Sequence, residues 1–220
     1  ATVVPFSRLE ELSFGAFVLD GMITIRDQAG VQTQFCHKDE LMIPGTHNLE
    51  NALAATAIAY FAGIPVSVIR TTLREFAGVE HRIEFVDEID GVRFVNDSKG
   101  TNPDAAIKAI EAIPAPIFLI AGGYDKGSDF GELIDAFAGK VEMAFLLGKT
   151  ASKIKEAAES KGFTKTIVLK DMDACVKEAF RQAKPGTTVL LSPACASWDM
   201  YDNFEQRGRH FKDCVAGLEK

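Results

Sequence analysis

From residue 116 onward the chain repeats one pattern, a short run of apolar residues followed by a stretch with helical spacing. Residues 116–121 (PIFLIA) and 143–147 (MAFLL) contain no polar residue, and 166–169 and 187–191 continue the series. Helical patterns occupy 103–113, 130–138, 150–161, 172–183 and the stretch from about Asn203. A strand without a polar face is buried on both sides, so helices must cover both faces of a parallel sheet. Two further strands, 83–89 and 92–95, flank the turn pair Asp90-Gly91. Asn102-Pro103 then opens a helix, with Asn as cap and Pro in the first turn. Residues 80–220 therefore read as an α/β domain with a doubly wound, mostly parallel, Rossmann-like sheet.

Residues 1–79 have a different rhythm. Short strands at 16–19, 22–26 and 34–36 surround an Asp20-Gly21 hairpin turn, and two helices follow at 48–62 and 66–76. The first ends before Gly63 and the second begins after Pro65. This segment is expected to be the tail of another domain, without a closed core of its own.

Composition limits the partners. Apolar residues make up 47 % of the 220, enough for a sizeable core. A net charge of −7 argues against nucleic acid or an anionic membrane as partner. It leaves a nucleotide possible, because a phosphate needs only a local cluster of donors. The four cysteines, Cys36, Cys175, Cys195 and Cys214, form no C-x-x-C pair, and no His stands at metal-finger spacing. A reducing cytoplasm and no structural metal are expected. No signal peptide and no apolar run of membrane length is visible. The chain opens Ala-Thr-Val-Val without Met, as a piece of a longer protein does.

In open α/β sheets ligands sit beyond the carboxyl ends of the strands. Three such ends carry small, polar or cationic residues: Asn96–Asn102, Gly122–Gly127 and Ser192–Ser197. Their convergence would make a binding edge. Two decoys fall away. Gly148-Lys149-Thr150 lacks the upstream Gly of a phosphate loop, since position 143 is Met, and reads as a helix start capped by Thr150. Gly122-Gly123 does not fit G-x-G-x-x-G, which disfavours NAD.

Five stretches carry a resemblance: GTHNLEN at 45–51, EHR at 80–82, NDSKGTNPDA at 96–105, GGYDKG at 122–127 and LSPACASWDMYDNFEQRGRHF at 191–211. The chain resembles the Mur ligase family, and the last stretch resembles its D-glutamate-adding members. The resemblance implies ATP with Mg2+ as cofactors. It implies D-glutamate and UDP-N-acetylmuramoyl-L-alanine as substrates, and a cytoplasmic monomer with neither nucleic-acid partner nor membrane insertion. The family's phosphate loop, magnesium-binding Glu and carbamylated Lys have no counterpart here. Residues 1–79 thus resemble the end of the central ATPase domain and 80–220 the C-terminal domain, and the chain alone is expected to be inactive.

Residue by residue, Asn48 and Asn51 share a helix face and would approach adenine, since an amide both donates and accepts. A capping role for Asn48 is the plainer alternative. Arg82 would fork onto a phosphate, or bridge two domains. Asp97, at a strand end, would accept from ribose hydroxyls or cap a turn. Lys99 is assigned to negative charge at the reaction centre and Thr101 to the incoming glutamate. Lys126 would pair with a glutamate carboxylate. Ser197 would hydrogen-bond the same substrate, Phe204 would wall its apolar stem or simply pack the last helix, and Trp198 would line the rim. Another Mur or folylpolyglutamate-type ligase, or a non-enzymatic nucleotide-binding module, are the competing readings.

Overall fold

The computed structural model describes residues 3–43 and 45–218, which divide into two compact units, Ala1–Gly78 and Val79–Lys220. In the first, β1 (Phe6–Ser7), β2 (Gly15–Leu19), β3 (Met22–Arg26) and β4 (Gln32–His37) form a sheet in that order. The β2–β3 turn is Asp20-Gly21, with φ of 50° and 81°, the left-handed pair a two-residue hairpin requires. Helices α1 (Thr46–Phe61) and α2 (Val66–Glu75) follow. Ala16, Ile23, Ile25, Phe35, Leu53 and Ile69 form a buried cluster between sheet and helices. The unit therefore has a small core of its own, contrary to the expectation from its sequence. Its strands are too short to announce a core individually, and their pairing creates one. Ile58, Phe61, Ile64 and Val68 nonetheless remain exposed.

The second unit contains β5 (Glu84–Ile89), β6 (Val92–Asn96), α3 (Pro103–Ala112), β7 (Ile117–Gly122), α4 (Gly131–Asp135), β8 (Val141–Leu147), α5 (Ala151–Ser160), β9 (Thr166–Val168), α6 (Met172–Gln182), β10 (Thr188–Leu191) and α7 (Phe204–Ala216). The strand order is β5-β6-β10-β7-β8-β9, parallel throughout except for the β5–β6 hairpin. Alternate strand residues face opposite cores. Val95, Leu119, Ala121, Leu146 and Leu190 pack with the residues of α3, α4 and α5. Phe94, Phe118, Ile120, Phe145 and Leu191 pack with those of α6 and α7. Each such large side chain contributes about 1.5–3 kcal/mol on burial, so a strand committed on both faces tolerates no polar side. The expected helix at 130–138 contracts to five residues, because 136–140 turn to feed β8. Among the described residues no helix is long and apolar enough to cross a membrane.

The last strand, β10, lies between β6 and β7, although about ninety residues separate it from β6 in sequence. Leu191 pairs with Asn96 on one side and Ile120 on the other. The loops after β6, β7 and β10 are thereby neighbours at the sheet's carboxyl edge, with the loop after β8 next in line. Close backbone approach holds that edge together. Gly122 has φ of 119°, and a Cβ there would stand 2.0 Å from the Leu147 carbonyl oxygen. Gly122→Ala is expected to cost about 2–4 kcal/mol, since the obstruction is backbone and the φ excludes side chains. Gly127→Ala, with open space around its Cβ, should cost only the left-handed penalty of about 1–2 kcal/mol. Urea titration of the two variants compares them, and equal midpoints would refute the assigned contact.

Candidate functional site

The first loop descends from β6 and is fastened by its own polar side chains. Asp97 is 4 % exposed and points inward. Its Oδ2 accepts from Ser192 Oγ at 2.7 Å and its Oδ1 from the Ile83 N–H at 3.2 Å. It therefore joins three separate segments. Gly100 allows this, since a Cβ there would lie 2.5 Å from Asp97 Oδ2. Burial pushes the Asp97 carboxyl up to about 7, against the lowering effect of its hydrogen bonds and of Arg82 and Arg207. Sequence reasoning offered Asp97 either to ribose hydroxyls or to a cap or turn. Here both carboxylate oxygens accept from groups within the protein.

Arg82 is presented by strained backbone. His81 and Ile83 on either side have φ of 67° and 47°, a costly conformation for residues other than Gly, and doubly so for β-branched Ile. The segment is held because the His81 ring is buried against α7. Its Nδ1 lies 2.9 Å from Asn96 Nδ2, and a Cβ on Gly208 would come within 2.2 Å of Nδ1. Burial holds the imidazole below its ordinary value, despite the nearby carboxylates of Glu80 and Glu84. His81 is thus a positioning group that sequence reasoning left without a role. Arg82 itself is exposed.

The loop after β10 is gripped by Arg207 of α7, 2 % exposed. Its Nε donates to Ser98 Oγ at 3.0 Å, Nη2 to the Ser98 carbonyl at 2.8 Å and Nη1 to the Cys195 carbonyl at 3.0 Å. Ser98 Oγ in turn donates to the Phe204 carbonyl at 2.7 Å. One buried guanidinium therefore sets the spacing between the loop of Lys99 and the loop of Ser197. Burial lowers the Arg207 group to about 10, which leaves it charged at neutral pH. Sequence reasoning missed it, because a polar residue on a terminal helix reads as solvated. The available signal was Gly208 beside it, a glycine inside a helix that marks close approach.

The loop after β7 crosses to the same place. Tyr124 N–H donates to the Ala196 carbonyl at 2.8 Å. Thr150 stands at the N-cap of α5 as expected, but its hydroxyl turns to the neighbouring loop, where Oγ1 accepts from the Gly123 N–H at 2.9 Å. The hydroxyl makes no cap bond. The decoy Gly148-Lys149-Thr150 is occupied from within, since the Lys149 N–H donates to Asp199 Oδ2 at 2.9 Å. Cys195 is buried and its thiol is pushed up to about 11 by burial, so it is no nucleophile.

Four cations rim this edge: Arg82, Lys99, Lys126 and Lys149 are exposed or partly exposed. Among the described residues none of them has a carboxylate within 4.0 Å, whereas most other lysines and arginines of this acidic chain are paired. Lys99 Nζ lies 5.8 Å from the Phe204 ring centroid, and Lys126 Nζ 4.8 Å from that of Trp198. Ser197 is buried and Thr101 half-buried in their loops. The structure thus gathers Arg82, Asp97, Lys99, Thr101, Lys126, Ser197 and Phe204 along one edge of the second unit. Unpaired cations at a strand edge suit an anionic ligand. Asn48 and Asn51 belong to the first unit. Helix α1 starts at Thr46 with Gly45 before it, so Asn48 lies inside the first turn and is no cap. Asn51 Nδ2 donates to Asn48 Oδ1 at 3.4 Å, and Asn51 is exposed.

Residues 81–195, more than half of the chain, match the family model described as Mur ligase, glutamate ligase domain. The chain belongs to the Mur ligase family. Curated relatives of this Mur ligase chain include the UDP-N-acetylmuramoylalanine–D-glutamate ligases of Alkaliphilus oremlandii, 55 % identical over 100 % of the chain, and Clostridioides difficile, 49 % identical over 100 %. The chain spans about half the length of these relatives, 48 % in each case. Among solved structures, Escherichia coli FolC in complex with ADP matches 93 % of the Mur ligase chain and 47 % of its own length, with TM-score 0.65 and 19 % identity. The UDP-N-acetylmuramate-alanine ligase MurC of Thermotoga maritima matches 90 % of the chain and 44 % of its own length, with TM-score 0.62 and 15 % identity. At such identities the likeness is one of fold.

Asp97 also couples the site to pH. Its folded value near 7 lies above an ordinary aspartate value near 4, so the folded state binds the extra proton in between. Stability from this group is therefore lost as pH rises from about 4 to about 7. Asp97→Asn keeps an acceptor for Ile83 and should remove that loss. The variant is expected to gain on the order of a few kcal/mol relative to the parent at pH 8 and almost nothing at pH 4. Thermal melts at both pH values check this, and a gain that does not grow with pH would refute it.

Proposed function

We propose that this chain is the nucleotide- and amino-acid-binding half of a ligase that adds D-glutamate to UDP-N-acetylmuramoyl-L-alanine, in peptidoglycan precursor synthesis. The observation that carries the reading is the 55 % identity, over the whole chain, to a ligase of that name. In the reaction this supports, a carboxylate oxygen of the substrate attacks the γ-phosphorus of ATP and ADP leaves, giving an acyl phosphate, because a free carboxylate is a poor electrophile. The amine of D-glutamate then attacks the acyl carbon and phosphate leaves with its bonding electrons. The buried free thiols agree with a reducing compartment, the cytoplasm.

The residues divide by chemistry. Arg82, with a planar fork of donors, takes a phosphate. Asp97 offers its remaining lone pairs to the ribose, and the amides of Asn48 and Asn51 match the donor and acceptor edge of adenine. Lys99, whose ammonium is unpaired beside Phe204, offsets negative charge as the phosphoryl group moves. Lys126, Thr101 and Ser197 hold the carboxylates of glutamate, and the Phe204 ring lies against its methylenes. Among the described residues no group of three or more His, Cys, Asp or Glu side chains is disposed to hold a metal ion. In this reading the Mg2+ that accompanies ATP is held mainly by other parts of the longer ligase.

Two outcomes are expected. In the full-length ligase, Lys126→Ala should raise the KM for D-glutamate about ten- to a hundredfold, the loss of a charge-assisted bond of roughly 1.5–3 kcal/mol, and leave the KM for ATP nearly unchanged. Steady-state kinetics with an amino-acid panel measures this, and unaltered glutamate kinetics would remove Lys126 from the site. The 220-residue chain alone, lacking G-x-x-x-x-G-K-[ST], has no run of backbone N–H groups to cradle the β- and γ-phosphates. It should bind ATP only on the order of millimolar, near −4 kcal/mol, and release no phosphate with both substrates present. Calorimetry and a phosphate assay test this, with micromolar binding counting against it.

A further inference from the structure

Trp198 is the single tryptophan of the chain, and it is 61 % exposed. An exposed aromatic ring on a mobile loop would call for no explanation, but its backbone is fixed on both sides. Two residues before it, the Ala196 carbonyl accepts from the Tyr124 N–H at 2.8 Å. One residue after it, Asp199 Oδ2 accepts from the N–H of Lys149, just ahead of α5. The seat of that carboxylate depends on Gly148, where a Cβ would stand 2.3 Å from Asp199 Oδ2. The Ser197 carbonyl accepts from the N–H groups of Met200 and Tyr201, which closes the turn. The ring is thus carried to a defined place and left in water.

What it meets there is a cation and a second ring. Lys126 Nζ lies 4.8 Å from the Trp198 ring centroid. Tyr124 braces the indole from the side, at 5.8 Å between centroids and 50° between planes. Lys149 Nζ stands 5.9 Å from the Tyr124 centroid. The turn carrying Lys126 is itself held, since Asp125 Oδ1 accepts from the Gly127 and Ser128 N–H groups and Asp125 Oδ2 pairs with Lys153 Nζ at 2.7 Å. Asp125 is therefore committed to Lys153 and the turn, while Lys126 leans on indole.

We propose that Trp198 is a positioning residue: its indole face, braced by Tyr124, holds the Lys126 ammonium at the sheet edge, aimed in advance at a carboxylate of the amino-acid substrate. The inference rests on the amino-acid reading of Lys126 given above. A lysine has four rotatable bonds, and freezing them on binding costs affinity unless they are already restrained. A protein carboxylate would restrain the lysine equally well, but it would repel the incoming carboxylate. An indole face attracts the ammonium without bringing a charge, and it leaves N–H donors free to point outward.

Kinetics and spectroscopy test the two halves separately. In the full-length ligase, Trp198→Leu should raise the KM for D-glutamate about three- to tenfold, with kcat and the KM for ATP within about twofold of the parent. Trp198→Phe, which keeps a ring face, should recover most of the loss. The double variant W198L/K126A should be no worse than Lys126→Ala alone, because the ring acts through the lysine. In the 220-residue chain with labelled lysine, the ε-proton resonance of Lys126 should lie upfield of the other lysines through the indole ring current, and return to the common position in Trp198→Leu. An ordinary Lys126 resonance in the parent, additive effects in the double variant, or equal rises in the KM for glutamate and for ATP would each overturn the proposal. If Lys126→Ala raises the KM for glutamate and Trp198→Leu does not, the role of Trp198 falls and the amino-acid reading stands. If Lys126→Ala leaves glutamate kinetics unchanged, the reading falls and the proposal falls with it.

Discussion

The insertion of β10 between β6 and β7 is the constraint from which the second unit's chemistry follows. Without it, the loop after β10 would hang from one edge of the sheet, far from the loop after β6. With it, Leu191 pairs with both Asn96 and Ile120, and three loops are forced into adjacency. The backbone ladders fix the strand ends to within a hydrogen bond. Loop residues then need to organise only a few ångströms of space.

That space is organised by buried polar groups whose partners lie far off in sequence. Asp97 ties the segment of Ile83 to Ser192, and Arg207 ties Ser98 to Cys195. Each is desolvated, and each is tolerable because nearly every donor or acceptor finds a partner. The two groups do opposite things to proton binding. Burial raises Asp97 toward neutrality and lowers Arg207, yet the arginine remains charged because its starting value is so high. The cations at the sheet edge show the reverse arrangement. Arg82, Lys99 and Lys126 are exposed and lean, where they lean at all, on aromatic rings. Rigid polar ties beneath keep the cations above from collapsing onto internal carboxylates.

Helix α7 links these layers. It begins with Asn203 capping its first turn, carries Phe204 beside Lys99 and His81, and sends Arg207 under both loops. Its Gly208 leaves room for the buried His81 ring, which supports the strained backbone that presents Arg82. A substitution in this helix would therefore be felt at the loops carrying the nucleotide-side and glutamate-side candidates together.

The sequence alone determined the local and periodic features. Apolar runs such as residues 116–121 require burial on both faces, and Asp20-Gly21 and Asp90-Gly91 supply the left-handed pairs of two hairpins. Asn102 caps α3 as its type and the following Pro103 predict. The motifs from residue 45 to 211 carried the family. These are contacts within a few residues, or patterns of burial, and both are written into the order of side chains. Tertiary structure alone decided that β10 is central, that Asp97 faces inward, that the Thr150 hydroxyl serves Gly123 instead of capping its own helix, and that Trp198 meets Lys126. Each of those depends on a partner some twenty to a hundred residues away. Periodicity reports how a residue faces its own strand or helix, and it carries no information about which strand lies alongside.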